Sequence, residues 1–364
     1  MVADSRQTVA LDVMGSDGGP QSAVDGGLHA AAAMPDTLNL VFVGQKERIE
    51  PLLDKAGPPP PNVSIVHAST EVPMHVAATD GIRLRDSSVA VGLKMVKENQ
   101  ADAFVSPGNT GAVMGSALLT LGRIKGVSRP AIVGIFPTSA GRPCIVLDVG
   151  ANAECKPIHL SQFGVMGSVY SEVAFNVEAP RVGLISIGEE RSKGNELVFS
   201  SLELLKNSGI NFVGNVEGRD ILSGTVDVAV TDGFTGNILL KFAESIKPMM
   251  VKAVKRQVQT NIFSRMGTML LLPFLKRMRA TFDYAESGGA PLLGVNGVVV
   301  ICHGSSSARA ISNAVQAAHA MARTRINSRI QDELTTNHFG RNHDIKTKSQ
   351  DLRDRVVRPA SGND

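Results

Sequence analysis

The sequence has 364 residues, of which 43% are hydrophobic and 20% charged, with a net charge of +3. This length can bury a large core, as one α/β domain or two. The weak charge and the 4% aromatic content give no basis for nucleic-acid binding. Three scattered cysteines, no leader pattern and no run of 18 apolar residues predict a cytoplasmic protein without disulfides or a spanning helix.

Short apolar runs alternate with helical patterns along most of the chain, which is typical of βαβ units. We therefore predict a three-layer α/β/α fold with a largely parallel sheet, in one domain over residues 1–335. A polar segment, 336–364, is predicted to be a flexible tail. The predicted strands are 9–14, 40–43, 64–67, 103–106, 131–136, 144–149, 182–187, 212–214, 226–231 and 298–302.

Glycine-rich motifs follow six of these strands, at the strand ends where ligands of such folds bind. One glycine after a strand is ordinarily turn chemistry alone, but six motifs on one sheet edge predict a binding site. They are GSDGGP with Gly15 and Asp17, SPGNTG with Ser106, DVGANAE with Asn152, SIGEERSKGNE with Lys193, DGFTGN with Asp232, and CHGSSS with His303.

Two of these motifs repeat one pattern in one register, ADAFVSPGNTGAV at 101–113 and VDVAVTDGFTGNI at 226–238. Each predicts a strand, a tight loop and a helix start, where unpaired N–H groups attract anions. We expect Asn109, Thr110 and Gly111 to form one anion nest, and Thr235 and Gly236 a second. Turn geometry alone is the alternative. The repeat therefore predicts a site for phosphate or another oxyanion.

The segment 247–279 breaks the alternation, with eight Lys or Arg residues and no Asp or Glu. It predicts an amphipathic helical hairpin. Its apolar stripe suits packing on the core or on a second subunit. Its apolar tip, flanked by cations, suits contact with an anionic membrane surface. The tip residues are Met269, Leu270, Leu271 and Leu272.

The motifs that other chemistries require are absent. The sequence has no GxGxxG after its first strand, no GxxxxGK[ST] loop, no GxSxG elbow and no HxxxH-type metal pair. We therefore expect no cofactor, no metal and no covalent acyl-enzyme. A site of backbone donors suits inorganic phosphate attacking an acyl thioester, because phosphate is already nucleophilic and the developing oxyanion needs donors.

Seven motifs together closely resemble the bacterial acyl-carrier-protein:phosphate acyltransferases, the PlsX family. They are ALDVMGSDGGP, VSPGNTGAVMG, IVLDVGANAE, QFGVMGSVYSE, RVGLISIGEERSKGNE, VTDGFTGNILLK and GGAPLLG…HGSSS. The resemblance runs from Val9 to Ile330. It departs from the family pattern near the site, with Ser16 in place of Gly, Pro107 in place of Ala and Glu154 in place of Asp.

The resemblance implies transfer of an acyl group from acyl carrier protein to inorganic phosphate, giving acyl phosphate for phospholipid synthesis. It also implies a fold like isocitrate and isopropylmalate dehydrogenases and phosphotransacetylase. Members of the family carry a protruding amphipathic helical pair with dimer and membrane contacts, which matches an insert at 243–282. A homodimer is therefore implied, peripherally associated with the inner face of the cell membrane, where the downstream glycerol-3-phosphate acyltransferase is a further expected partner.

The same resemblance assigns catalytic roles to Lys193 and Asn237. Lys193 would neutralise phosphate or the oxyanion; without the resemblance, a solvated loop lysine is the favoured alternative. Asn237, expected as the first helical residue after DGFTG, would donate to the thioester oxygen, with helix capping as its alternative. His303 could protonate the leaving thiolate, and Ser305 is expected to cap the last long helix.

Three rival functions stay open on the sequence alone. The first is a phosphotransacetylase for small substrates, which shares the fold and the chemistry. The second is a dehydrogenase of the same fold class. The third is a membrane-associated scaffold without catalysis.

Overall fold

The computed structural model describes residues 6–258, Leu271, Phe274 and 288–336. Its strands are β1 (Gln7–Asp12), β2 (Leu38–Gly44), β3 (Val63–His67), β4 (Ala103–Ser106), β5 (Ala131–Ile132), β6 (Gly134–Phe136), β7 (Cys144–Leu147), β8 (Val182–Ile185), β9 (Phe212–Val216), β10 (Val228–Val230), β11 (Ala290–Leu293) and β12 (Val298–Ile301). Its helices are α1 (Gln21–Ala33), α2 (Lys46–Ala56), α3 (Ala78–Gly81), α4 (Ser88–Lys97), α5 (Thr110–Thr120), α6 (Pro157–Phe175), α7 (Glu196–Lys206), α8 (Gly218–Ser223), α9 (Gly233–Val258), α10 (Ala308–Arg323) and α11 (Ile326–Thr336).

The described strands form two sheets, in the orders β3-β2-β1-β4-β12-β11-β5 and β6-β7-β10-β8-β9. Pairing is parallel except at β11, which is antiparallel to both neighbours, and between β6 and β7. The predicted α/β class with largely parallel strands is confirmed. Each predicted strand has a counterpart, but 131–136 is divided between the two sheets. The prediction missed β11, in which Pro291 weakens the strand signal.

The segment that joins the two sheets sets the direction of both. Since β11 is antiparallel to β12 and to β5, β5 runs parallel to the other strands of the first sheet. After Val133 the chain continues as β6, and β7 returns antiparallel to it. The carboxyl ends of the parallel strands in both sheets therefore face the junction between β5 and β6. Two hydrogen bonds mark this junction, from Ile132 N–H to Asp148 Oδ1 (3.0 Å) and from Val149 N–H to the Ile132 carbonyl (3.1 Å).

Helix α6 is buried along most of its length, from His159 to Ser171. A helix that is apolar on all sides is expected in a core rather than at a surface. Two of its glycines permit close packing: a Cβ on Gly164 would lie 2.7 Å from Leu205, and one on Gly167 would lie 2.6 Å from Val228. This helix thus supports the second sheet from behind.

The aspartate that begins each half of the sequence repeat ties its strand to a neighbour. Asp102 accepts a hydrogen bond from Thr8 N–H at 2.7 Å. Asp227 accepts one from Arg181 N–H at 2.9 Å and also pairs with the Arg181 guanidinium at 3.0 Å. Burial would raise the pKa of Asp227, but the hydrogen bonds and the charge of Arg181 outweigh it and lower that pKa. The aspartates therefore fix the entry of β4 and β10 into their sheets.

We expect Asp227→Asn to lower the free energy of unfolding by about 1–2 kcal/mol at neutral pH, because it removes the charged partner of Arg181. The Arg181 side chain is 38% exposed, and solvent screening limits the loss. The stabilisation from a lowered carboxyl pKa is present above the unfolded-state pKa and disappears as pH falls through the folded-state pKa. The difference from wild type should therefore shrink below about pH 4. Urea denaturation across pH measures it.

Asp102→Asn is the matched control, because the hydrogen bond from Thr8 to Asp102 is made by a backbone N–H. It should cost less stability than Asp227→Asn. Equal losses in the two variants would mean that the guanidinium of Arg181 contributes nothing.

Candidate active site

The first cluster of site residues lies where β1 and β4 end. The fully buried Asp12 accepts a hydrogen bond from Ser106 Oγ at 2.7 Å, and Ser106 Oγ accepts one from Gly108 N–H at 3.0 Å. Asp12 also accepts the N–H of Met14 at 2.9 Å. Burial raises the pKa of Asp12, and the hydrogen bond from Ser106 partly offsets that rise. Ser106 is thus occupied in holding two loops together.

Three loops meet at this cluster. A Cβ on Gly15 would lie 2.6 Å from the Gly108 backbone, so the loops after β1 and β4 are in contact there. The N–H of Asp17 donates to the carbonyl of Gly304 at 2.9 Å, which adds the loop after β12. Asp17 itself is exposed to solvent. Gly15 therefore permits the approach of two loops, while Asp17 lines their outer surface.

Asn109 caps helix α5 with its side chain. Its Oδ1 accepts the N–H of Ala112 at 3.0 Å, and its Nδ2 donates to the carbonyls of Met74 (3.0 Å) and Val76 (3.2 Å). The first N–H groups of a helix have no partner within the helix. With Ala112 satisfied by the cap, the N–H groups of Thr110 and Gly111 are the donors left for a ligand. The Asn109 side chain fixes the position of the helix start, and its own amide is already hydrogen-bonded within the protein.

The second cluster surrounds Asp148, which is fully buried just after β7. Its carboxylate accepts the N–H groups of Ile132 (3.0 Å), Gly150 (3.1 Å), Ala151 (3.0 Å) and Asn152 (2.7 Å). The Asn152 side chain adds a bond at 2.9 Å. Burial raises the pKa of Asp148, and these hydrogen bonds counteract the rise. Asp148 thus fixes the loop after β7, and Asn152 is part of its support.

Helix α9 begins directly on this loop. Asp232 caps it, accepting the N–H of Thr235 at 2.8 Å and the Thr235 hydroxyl at 2.9 Å. The N–H of Gly233 donates to the Asn152 carbonyl at 2.8 Å. Of the first three N–H groups of the helix, that of Phe234 is therefore the one left for a ligand. A Cβ on Gly236 would lie 1.9 Å from the carbonyl oxygen of Asp148.

Asn237 is the fifth residue of α9 and not its first, because the helix begins at Gly233. Capping is done by Asp232, so Asn237 is not the cap. Asn237 is exposed, and its Oδ1 lies 3.7 Å from the position that a Cβ on Gly150 would take. The Asn237 amide thus borders the loop that Asp148 holds.

Lys193 lies in the loop after β8, and β8 neighbours β10 in the second sheet. It is exposed, and no carboxylate within the described residues forms an ion pair with its ammonium. Since parallel neighbours end at the same edge, this loop lies beside the start of α9. Lys193 therefore belongs to the second cluster.

His303 lies with the first cluster, in the loop after β12. Its Nδ1 accepts the N–H of Ser305 at 3.2 Å and lies 2.8 Å from the Ser305 hydroxyl. Because a backbone N–H can only donate, the neutral imidazole carries its proton on Nε2. The expectation that Ser305 caps the following helix is wrong: Ser307 does so, accepting the N–H of Ala310 at 3.2 Å.

The predicted site residues therefore form two clusters rather than one. Over residues 6–258 and 288–336, no hydrogen bond or ion pair joins the first cluster directly to the second. The same ranges contain no group of three or more His, Cys, Asp or Glu side chains placed to hold a metal ion. Both clusters lie at strand ends that face the junction between the sheets.

Comparison with known proteins identifies the family. The family model described as "Fatty acid synthesis protein" matches residues 7–329. A phosphate acyltransferase of Pelotomaculum thermopropionicum is 44% identical over 327 residues, covering 90% of this chain and 93% of that protein. One of Geobacter sulfurreducens is 44% identical over 329 residues, covering 90% and 94%. The chain belongs to this family of phosphate acyltransferases.

Solved structures support the fold of this phosphate acyltransferase. A phosphotransacetylase from Streptococcus pyogenes aligns with a TM-score of 0.59, covering 88% of this chain and 94% of that one. At 17% identity this likeness concerns the fold alone. The predicted resemblance to phosphotransacetylase is thereby confirmed.

The predicted insert of this acyltransferase is described only in part. Helix α9 carries exposed apolar residues, and Leu271 is 55% exposed. Met269, Leu270 and Leu272 lie outside the described residues, as does the predicted tail beyond Thr336. None of the helices in the described ranges combines the length and apolar character needed to cross a bilayer.

We expect Gly236→Ala to reduce acyl phosphate formation by at least roughly tenfold, because the new methyl group would meet a backbone oxygen and push α9 off the Asp148 loop. Steady-state kinetics together with a thermal melt measure the effect. Gly218→Ala is the control: its Cβ would meet only Leu239, at 4.0 Å. Unchanged kinetics in Gly236→Ala would contradict the close contact.

Proposed function

We propose that this acyltransferase moves a fatty acyl group from the thioester of acyl carrier protein to inorganic phosphate, giving acyl phosphate for phospholipid synthesis. The observation that carries the proposal is the pair of helix starts at strand ends that face one junction: α5 has two unpaired N–H groups and α9 has one. Family membership supplies the acyl transfer and the acceptor. The donor, the course of the reaction and the residue roles are our proposal.

The first cluster binds phosphate in this proposal. The N–H groups of Thr110 and Gly111 lie at the positive end of the α5 dipole, where anions are stabilised. The helix start is held rigidly, because Asn109 ties it to the carbonyls of Met74 and Val76. Rigid donors orient a phosphate dianion without a cost of reorganisation at the moment of reaction.

The second cluster receives the thioester. A phosphate oxygen attacks the carbonyl carbon, and a C–O bond forms as the carbonyl oxygen becomes an oxyanion. The Phe234 N–H and the Asn237 amide can donate to that oxygen, and the Lys193 ammonium balances its charge. Collapse of the intermediate breaks the C–S bond. The Nε2–H of the neutral His303 imidazole is the proposed hydrogen-bond donor to the departing thiolate, which then takes its proton from solvent.

Direct attack, without an acyl-enzyme, is supported by the state of the nearby thiol. Cys155 is the cysteine beside the second cluster, and its Sγ contacts the Asn152 carbonyl at 3.7 Å. Burial, with the charge of Asp148, raises the pKa of Cys155 to about 12. A thiol with that pKa stays protonated near neutral pH and is a weak nucleophile.

The length of the donor distinguishes two classes of substrate. A carrier-protein thioester presents its acyl group on a long arm, which can bring the thioester carbon to the bound phosphate, since the reacting atoms must lie about 3–3.5 Å apart. A phosphotransacetylase for small substrates is the rival, because the phosphotransacetylase fold is shared.

Turnover of a long-chain acyl carrier protein with phosphate tests the proposal. We expect acyl phosphate from this donor and none from acetyl coenzyme A. Lys193→Ala should lower kcat/KM by about 10²-fold or more, and Asn237→Ala by about 10²-fold, because each removes a group that stabilises the developing negative charge. The readout is acyl phosphate trapped with hydroxylamine.

Lys206→Ala controls for loss of a lysine, since Lys206 is exposed at the end of α7, away from the strand ends. Activity with acetyl coenzyme A alone would favour the phosphotransacetylase. Full activity in both site variants would remove Lys193 and Asn237 from the mechanism, and an inactive parent protein would favour the scaffold.

We also propose that α9 and the insert beyond it provide contacts with a second subunit and with an anionic membrane surface, on the cytoplasmic side. The support is a row of exposed apolar residues on α9, which a lone surface helix would not be expected to carry. They include Phe242 (66%), Met249 (62%), Met250 (55%) and Val254 (46%). The carrier protein, being acidic, and the glycerol-3-phosphate acyltransferase that follows in the pathway are the other proposed partners.

We expect the double substitution Leu270→Glu and Leu271→Glu to abolish sedimentation with phosphatidylglycerol vesicles, because it places two carboxylates in the apolar tip. Turnover of soluble substrate should persist. Leu222→Glu, at a residue 48% exposed on α8, should leave vesicle binding intact. Undiminished binding of the double variant would refute membrane contact by the tip.

A further inference from the structure

The loop that carries Lys193 is fixed through its backbone although its side chains are exposed. The N–H of Lys193 donates to the carbonyl of Glu190 at 3.0 Å. The carbonyl of Lys193 accepts a hydrogen bond from Ser186 Oγ at 3.0 Å. Gly194 follows at φ +128°, a conformation that residues with a side chain rarely adopt, and its missing Cβ leaves room for Val198. These hydrogen bonds close residues 186–193 into a compact loop, the Lys193 loop.

A buried carboxamide on the neighbouring strand β9 is hydrogen-bonded to the Lys193 loop. Asn215 lies on β9 opposite Leu184 of β8, and it is 8% exposed. Its Nδ2 donates to the carbonyl of Glu190 at 3.0 Å and to that of Lys193 at 3.1 Å. Since carbonyls only accept, the amide must point its nitrogen at the loop. Both ends of the turn that presents Lys193 are therefore tied to one side chain in the sheet.

The orientation leaves the other side of the carboxamide unpaired. Asn215 Oδ1 is buried and has no hydrogen-bond partner among the described residues. An unpaired buried oxygen is a cost to folding, which a smaller or apolar side chain at this position would avoid. The side chain offsets this cost with the two hydrogen bonds that its amide nitrogen donates to the loop.

An exposed ion pair reaches the same loop from outside. Arg219 on α8 contacts Glu189 at 2.9 Å, with side chains 70% and 63% exposed. Pairs this exposed hold geometry weakly, because water and salt screen them. Asn215 is therefore the tie that sets where the loop stands relative to the strand ends.

We propose that Asn215 is a positioning residue, whose buried carboxamide fixes the Lys193 loop so that the ammonium meets the developing oxyanion at the second cluster. The inference rests on the proposed role of Lys193. It has a physical basis in the length of the lysine side chain: a flexible side chain on a fixed backbone samples a limited volume, and small misplacements of a charged group cost rate.

Kinetics of Asn215→Asp test the proposal, because aspartate has the same shape but cannot donate to the two carbonyls. We expect kcat/KM for phosphate to fall roughly tenfold or more. The melting temperature should fall as well, because the new carboxylate is buried against two carbonyl oxygens, so the kinetics are measured below the melting transition of the variant. Asn211→Ala is the matched control: Asn211 precedes the same strand and donates to the Ala179 carbonyl, away from the Lys193 loop. Arg219→Ala should also leave kcat/KM within about twofold.

A double-mutant cycle with Lys193→Ala separates positioning from general damage. If Asn215 acts through Lys193, adding Asn215→Asp to Lys193→Ala should change kcat/KM less than twofold. An equal loss in both backgrounds would show a purely structural role and overturn the inference. Should Asn215→Asp fail to fold, Asn215→Ser takes its place in the same cycle.

The outcomes also distinguish this inference from the proposed function. Wild-type kinetics in Asn215→Asp, with Lys193→Ala impaired, would overturn the role of Asn215 alone. Full activity in Lys193→Ala would overturn the role of Lys193, and the role of Asn215 with it. Acyl phosphate formation by the parent protein would remain in either case.

Discussion

The Asp148 carboxylate is the interaction on which the second half of the site depends. It gathers four backbone N–H groups from β5 and from the loop after β7, and Gly236 presses against its carbonyl. Burying a carboxylate is costly unless its oxygens are hydrogen-bonded. The loop after β7 therefore depends on all of these hydrogen bonds together. The start of α9 and the amide of Asn237 take their places from this one group.

The first half of the site repeats this plan with a different result. Asp12 also ends a strand and accepts the N–H two residues on, as Asp148 does. In the first half, however, the cap of α5 is an asparagine whose amide reaches another segment, and two N–H groups remain unpaired. In the second half, Asn152 and Asp232 accept hydrogen bonds from two of the first three N–H groups of α9. The start of α5 thus keeps two unpaired N–H groups, whereas the start of α9, beside the Lys193 loop, keeps one.

Sequence reasoning reached the α/β class, the strand ends and the family, because apolar periodicity and glycine motifs are local signals. It did not reach β11, the place of Asn237 within α9, or the cap at Ser307. It also missed Ile132 and Asn215, whose contacts exist because of strand order: β5 meets the end of β7, and β9 lies beside β8. The spacing of residues in the sequence does not predict such neighbours, because they depend on the order of the strands in the folded sheets.

The short segment that passes from β5 into β6 has a mechanical consequence. Ile132 belongs to the first sheet, and its N–H and carbonyl are both bonded to the loop that begins at Asp148 in the second. Any bending between the two sheets at Val133 must pull on those bonds. In the proposed reaction, a donor that entered between the sheets would therefore also move the loop after β7 and the start of α9 that rests on it.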